Sequence, residues 1–382
     1  MEQRKTILFV HYGENWIRGS EQALLNIIIH IDKEKFRPIV WTNCTALHNK
    51  LNSLSIPTQL DKFSLLFGWA KPKYSVSNWF RLIFKGCDLI RKNSVDIVHV
   101  NSGGPVQWMA AACKISNVPM LTLLHCDYTL RDRVSLGLYL SQKTVLVSEA
   151  ISQNLRNDGY PSNRIKVIHN GIDLSLLTNT PIIKVKQRLN LSENSFLFVT
   201  IGSLIFRKGI DKIIKAMQDI NCQSRDIHLL IVGEGEEKQT LSDQAQGLGL
   251  EKHIHFVSEQ NRPIAWLRGG CDAFISAARS EAFGLVIAEA GLSALPIIAP
   301  NIDGIPEVVH HNQSAILYDP NNKYALPSAM LRLHQSKPLQ NWLATNAHKR
   351  IVKNFSITQK VNDIELEYFT LINRSQNEIQ FR

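Results

Sequence analysis

Short runs of aliphatic and β-branched residues alternate along the chain with longer stretches whose apolar positions recur at helical spacing. In the first half the runs fall at 6–11, 38–42, 97–101, 120–125, 143–147 and 165–169, and helices at 21–31 and 105–116 fit between them. The second half repeats the alternation, with runs at 196–201, 228–232, 253–256, 273–276, 296–300 and 315–318. Strand and helix in strict succession predict parallel sheets covered by helices, so each half reads as a doubly wound α/β unit. Between the halves, His169-Asn170-Gly171-Ile172-Asp173 carries a turn signal and Thr178-Asn179-Thr180-Pro181 is polar. These signals divide the chain into 1–178, 179–355 and a tail at 356–382. The tail reads as helix with Ile364, Leu366, Phe369, Leu371 and Ile372 apolar. Such a stripe must pack, and the first domain is its expected partner.

At 382 residues the chain can bury two separate cores, and 44% apolar with 20% charged residues is the balance of a globular protein. No stretch approaches the roughly 18 uninterrupted apolar residues of a bilayer span. Met1-Glu2-Gln3-Arg4-Lys5 leads into a run too short and too β-branched for a signal-peptide core, so a cytoplasmic protein is expected. Cys44, Cys87, Cys113, Cys126, Cys222 and Cys271 form no C-x-x-C pair, which argues against a zinc site or a dithiol motif and for reduced thiols. The net charge of +10 is uneven: residues 1–178 carry 21 Lys and Arg against 13 Asp and Glu. A polyanion, an anionic bilayer, an anionic acceptor or simple solubility each account for that excess. No recognised nucleic-acid module accompanies it, so no nucleic-acid partner is expected.

Four strings carry candidate chemistry. In Arg279-Ser280-Glu281-Ala282-Phe283-Gly284-Leu285-Val286-Ile287-Ala288-Glu289-Ala290, Glu281 precedes a helix and Glu289 lies inside it among aliphatic neighbours. A carboxylate in such company needs a partner; a ribose diol would serve Glu289, while Glu281 would stand beside a reacting sugar and its phosphate. Both glutamates capping or pairing within the fold is the competing reading. The amides of Leu285 and Val286 at the helix start would face an anion. In Gly202-Ser203-Leu204-Ile205-Phe206-Arg207-Lys208-Gly209, the adjacent cations follow a strand and suit a diphosphate, although two solvated surface charges fit as well. Gly19, in Trp16-Ile17-Arg18-Gly19-Ser20-Glu21, permits close backbone approach at a helix start, a feature most βα turns share. His125, at the end of the run 120–125, is placed to hydrogen-bond a hydroxyl or to serve the fold.

In this order along nearly the whole chain, the strings resemble glycosyltransferase family 4, the retaining enzymes of the GT-B fold. The family's E-x7-E pattern corresponds to Glu281 and Glu289, with Phe283-Gly284 between them, and its R-K-G loop to Arg207-Lys208-Gly209. Ser148, Leu155 and the stretch 164–173 approximate a third motif, and Asp303-Gly304-Ile305-Pro306-Glu307-Val308-Val309 a fourth. The resemblance implies two Rossmann-like domains facing across a cleft, with catalytic roles for Arg207, Lys208, Glu281 and His125. It implies donor contacts from Gly19, Ser203, Val257, Phe283, Gly284, Leu285, Val286 and Glu289. Three departures stand out: Arg18 replaces the first glycine of the family's G-G-x-E loop, Ser203 replaces an arginine of many members, and Asp303 replaces a glycine.

The expected activity is retaining transfer of a hexose-type sugar from a nucleotide diphosphate sugar to a saccharide or lipid-linked acceptor, in cell-surface polysaccharide or glycolipid synthesis. No D-x-D motif is present, so cationic side chains and helix dipoles are expected to stabilise the leaving group, with no metal and no other cofactor. The segment 74–92 interleaves Trp79, Phe80, Leu82, Ile83 and Phe84 with Arg81, Lys85, Arg91 and Lys92. It fits a peripheral contact with the anionic inner face of the plasma membrane, and equally a core helix with a solvated basic face. A nucleotide-sugar epimerase of the same architecture and a non-catalytic nucleotide-sugar-binding protein are the alternatives; the absence of G-x-G-x-x-G after the first strand disfavours a Rossmann oxidoreductase.

Overall fold

Each predicted run becomes a strand because its side chains can be buried on both faces, as parallel sheets under helices require. The structure, a computed structural model, describes residues 4–67, 75–221, 226–258 and 263–380, with the side chains of 221 and 378–380 also outside it; Tyr74, Cys222 and the first three residues therefore lie beyond the described residues. Contacts divide the chain into two units, residues 1–171 with 357–382, and residues 172–356.

In unit 1 the strands are β1 (Lys5–His11), β2 (Phe36–Thr42), β3 (Thr58–Leu60), β4 (Ile97–Asn101), β5 (Met120–Leu124), β6 (Lys143–Leu146) and β7 (Ile165–Val167). They pair in parallel in the order β3-β2-β1-β4-β5-β6-β7. The strand β3 has no counterpart in the sequence reading, because Thr58-Gln59-Leu60 is a short, largely exposed edge with no apolar run to announce it. Unit 2 contains β8 (Phe196–Ile201), β9 (Ile227–Val232), β10 (Ile254–Val257), β11 (Ala273–Ile275), β12 (Ile297–Pro300) and β13 (Ile316–Tyr318), parallel in the order β10-β9-β8-β11-β12-β13. His125, His169 and Ser276 stand just past their strands, in the loops at the carboxyl edges.

The first crossing between units lies at Gly171/Ile172, earlier than Thr178. The reason is local: the Ile172 amide donates to Phe355 O at 2.7 Å, and the Arg268 guanidinium donates to the carbonyls of Leu177 and Thr180. The polar stretch is thereby tied to unit 2. The helix Ile357–Gln380 belongs to unit 1, where Tyr368 Oη and His99 Nδ1 are 2.5 Å apart and Glu367 pairs with Lys143 at 3.2 Å. Its buried stripe is Val361, Ile364, Tyr368, Leu371 and Ile372; Leu366 points to solvent, since it falls off that helical face.

Candidate functional site

In unit 2 the strand order reverses between β8 and β11, the point at which open α/β sheets bind ligands. After β8 the chain runs through Gly202 and Ser203 into a single 3-10 turn, Phe206–Lys208, closed by Gly209 at φ +63°. Glycine is required there twice over, because a Cβ would also come within 1.9 Å of Ala277 O in the loop after β11. Arg279 fastens the two loops: its amide donates to Arg207 O at 2.7 Å, and its guanidinium donates to Phe206 O and to both carboxylate oxygens of Asp211. It also lies 3.8 Å over the Phe206 ring.

This clamp aims both cations of the turn at one carboxylate. Lys208 Nζ donates to Glu281 Oε2 at 2.5 Å, and Arg207 Nη1 lies 3.7 Å from the same oxygen while donating to Ser280 O at 2.8 Å. From the other side, the Glu281 amide donates to Asp303 Oδ2 at 2.9 Å and its carbonyl accepts from the Gly304 amide at 3.1 Å. Asp303 has φ +43°, a backbone conformation that aspartate tolerates better than most residues. What the sequence registers only as a replaced glycine is thus a side chain that fixes the Glu281 loop.

The helix Leu285–Leu292 starts immediately beyond. Its N-cap is Gly284 at φ +93°, which offers no side-chain cap, so the amides of Leu285 and Val286 keep their donors in the positive end of the helix dipole. Phe283 is buried with its ring 5.6 Å from that of Phe355, so it anchors the loop from beneath. Glu289 is half-buried one turn into the helix, and its carboxylate has no hydrogen-bond or ion-pair partner among the described residues. Burial alone pushes its carboxyl up to about 7. Ser203 and Val257 stand at the same carboxyl edge, the latter accepting from the Gly233 amide at 2.9 Å.

Unit 1 has its own reversal, between β1 and β4, and a second polar set gathers there. His11 ends β1 with Nδ1 2.8 Å from Asn101 O and Nε2 2.9 Å from Glu21 Oε1. Burial pushes the Glu21 carboxyl up, but bonds from His11, the Arg18 amide and the Ser20 hydroxyl outweigh it and leave its pKa below the ordinary value. Asn101 ends β4, and its Oδ1 accepts from His125 Nε2 at 2.8 Å. Burial holds the His125 ring well below its ordinary pKa, helped by the charges of Lys360, His11 and His99. Gly19 opens the helix Gly19–His30 with open space where a Cβ would stand.

The structure therefore brings Arg207, Lys208 and Glu281 into contact in unit 2, with Leu285, Val286 and Glu289 on the helix that follows, and sets His125 and Gly19 in unit 1. Sequence reasoning missed the roles of Arg279, Asp211, His11, Asn101 and Lys360. His11 ends a strand just as His125 follows one, and that shared position was a usable signal; partners distant in sequence left none.

Two parallel sheets of this order, the second bearing cations and carboxylates at its switch point, define the GT-B class. A solved structure of the Anabaena protein HepE in complex with UDP and glucose has the same fold, with a TM-score of 0.82, 22% identity and coverage of 96% of this chain and 99% of that one. The family described as "Glycosyltransferase Family 4" matches residues 17–176, and "Glycosyl transferases group 1" matches residues 182–350. The chain belongs to the group 1 glycosyltransferases of family 4. It is 22% identical to N-acetyl-alpha-D-glucosaminyl L-malate synthase of Bacillus anthracis over 307 residues, 78% of this chain and 80% of that protein. To an O-antigen biosynthesis glycosyltransferase of Escherichia coli it is 23% identical over 262 residues, 63% of this chain and 72% of the other.

Proposed function

We propose that this glycosyltransferase moves a hexose-type sugar, with retention and without a metal ion, from a nucleotide diphosphate donor held by unit 2 to a saccharide or lipid-linked acceptor. The reading rests on Arg207, Lys208 and Glu281 converging where the second sheet reverses, beside an uncapped helix start and a carboxylate that has no partner among the described residues.

Breaking the bond between anomeric carbon and phosphate develops positive charge on the carbon and negative charge on the departing diphosphate. Lys208 has three N–H donors and gives one to Glu281; Arg207 has five and gives one to Ser280 O. Among the described residues the remaining donors, with the Leu285 and Val286 amides, meet no hydrogen-bond acceptor and can serve phosphate oxygens, which is the work that Mg2+ or Mn2+ does in other transferases. A ribose diol gives Glu289 the two hydrogen bonds that the fold withholds. Glu281 stands beside the sugar, and His125, in unit 1, offers its ring to a hydroxyl of the acceptor. The acceptor oxygen attacks from the face the leaving group vacates: the C1–O bond to phosphate breaks, a C1–O bond to the acceptor forms, and the diphosphate takes the electron pair and the acceptor's proton.

A solved relative of this fold binds UDP and glucose, which supports UDP as the nucleotide, and the O-antigen relative supports an acceptor of cell-surface polysaccharide or glycolipid synthesis. Among the described residues no helix is long and apolar enough to cross a membrane. The helix Val76–Lys92 instead turns Val76, Phe80 and Phe84 to solvent, the last 69% exposed, beside Arg81, Lys85, Arg91 and Lys92. Aromatic and cationic groups on one face suit the anionic inner face of the plasma membrane, where lipid-linked acceptors reside. The test is to screen UDP-, GDP- and ADP-sugars by thermal shift and then assay the best binder for transfer. Stabilisation by one sugar nucleotide and retained anomeric configuration in its product are expected; stabilisation by none overturns the reading.

A further inference from the structure

Glu281 holds both of the cations that the proposed reaction assigns to a diphosphate. Lys208 Nζ donates to its Oε2 at 2.5 Å and Arg207 Nη1 lies 3.7 Å from the same atom, while Oε1 has no partner among the described residues. None of these side chains is sealed in: those of Arg207, Lys208 and Glu281 are 47%, 24% and 16% exposed, so an anion in solution can reach them. Arg279, close by, is committed to both oxygens of Asp211 and adds no free charge. The Glu281 backbone is fixed, with its amide on Asp303 Oδ2 at 2.9 Å and its carbonyl on the Gly304 amide at 3.1 Å. The side-chain torsions are the part that can move.

A phosphate that binds Lys208 therefore arrives beside a carboxylate. Two acceptors on one ammonium stand only about 4.5 Å apart, and since both are anions they repel across that gap. The repulsion is relieved when Glu281 turns to hydroxyl hydrogens, because a carboxylate only accepts. A bound hexose supplies them. A nucleoside diphosphate does not, and its terminal phosphate, freed of the sugar, carries about −1.5 to −2 charges at pH 7 in place of the lone charge of a diester. The product thus meets a stronger repulsion than the donor does and brings nothing that satisfies the carboxylate.

We propose that Glu281 discriminates the intact donor from the spent nucleoside diphosphate: it yields Lys208 to a phosphate when a sugar hydroxyl takes the lysine's place, and reclaims the lysine once the sugar has left. The identity of these ligands rests on the glycosyltransferase reading above. The competition between carboxylate and phosphate for Lys208 and Arg207 rests on the contacts of unit 2 alone. The opposite arrangement, in which Glu281 props Lys208 in place for a phosphate, predicts the reverse sign, because losing the prop would weaken the binding of every anion.

The test is calorimetric titration of the full chain, treated with chelator, with inorganic pyrophosphate, UDP and UDP-glucose. Wild type is compared with Glu281→Gln, which keeps the shape of the side chain and removes its charge. The variant is expected to bind pyrophosphate and UDP at least about tenfold more tightly than wild type does. UDP-glucose should gain at least about tenfold less than UDP, since the variant also weakens the acceptor of the sugar hydroxyls. Unchanged or weaker pyrophosphate binding by the variant overturns the proposal, as does an equal gain for UDP and UDP-glucose. If Glu281→Gln does not fold, Glu281→Ala is measured in the same way, and a chain that tolerates neither assigns the carboxylate to the fold and overturns the proposal as well. A gain with pyrophosphate and no binding of either nucleotide sinks the uridine donor and supports the competition, since pyrophosphate carries neither base nor sugar.

Discussion

Replacing Glu289 with glutamine should make the ligand-free second unit less sensitive to pH and weaken nucleotide binding. The carboxyl is raised by burial from 4.5 to about 7, so the folded unit holds its proton more tightly than the unfolded chain does. The stability that this proton brings is fully present below pH 4.5 and is lost as pH rises through about 7. At about 1.36 kcal/mol per pH unit, the gap corresponds to about 3 kcal/mol as an upper bound. The side chain is not wholly sealed from water, so about 1–2 kcal/mol is the realistic size. Hydrogen exchange of β8 and β9 amides reads it directly, with about a tenfold change in exchange for each 1.4 kcal/mol once rates are corrected for intrinsic pH dependence. Between pH 5 and pH 8 wild type should lose roughly tenfold more protection than Glu289→Gln. The variant should also bind a nucleoside diphosphate about 10–100-fold more weakly, the worth of charge-assisted hydrogen bonds. A wild-type slope no steeper than that of the variant, or unchanged nucleotide affinity, would refute the assignment of Glu289 as a carboxylate held ready for a diol.

Other expectations follow from the same geometry. Lys208→Ala should cut turnover by about two to three orders of magnitude, the size of losing a positioned donor to a departing anion, with the melting temperature nearly unchanged; turnover at the wild-type level removes the lysine from the mechanism. Gly209→Ala should destabilise unit 2 by about 3 kcal/mol or more, since the new Cβ meets Ala277 O at 1.9 Å and φ is positive; a denaturation midpoint equal to wild type would contradict the close approach of the two loops. Phe84→Glu should abolish co-sedimentation with anionic liposomes at low salt, and wild type failing to co-sediment would dispose of the membrane surface.

Much of the fold was legible because parallel strands buried on both faces are written as uninterrupted apolar runs: twelve were expected, and β3 escaped because an exposed edge leaves no such run. The candidate site was legible where its chemistry is local in sequence, as in Arg207-Lys208 or Glu281 through Glu289. It was illegible where function depends on partners far apart. Nothing in the string Asp303-Gly304 tells that the carboxylate reaches back to the Glu281 amide, and nothing near Lys360 tells that its ammonium meets the side chain of Asn170, 190 positions earlier. Burial was the other hidden variable, since Leu366 looks like core by composition and is solvent-facing by helical phase.

The central claim is that the diphosphate is bound by side-chain cations and helix-start amides alone. Isothermal titration of the best-stabilising nucleoside diphosphate into protein exhaustively treated with chelator tests it most directly. The account predicts undiminished affinity for wild type, and a loss of about 100-fold or more when Arg207 and Lys208 are both replaced by alanine. Binding that appears only when Mg2+ or Mn2+ is restored, or that survives the double replacement, would contradict it.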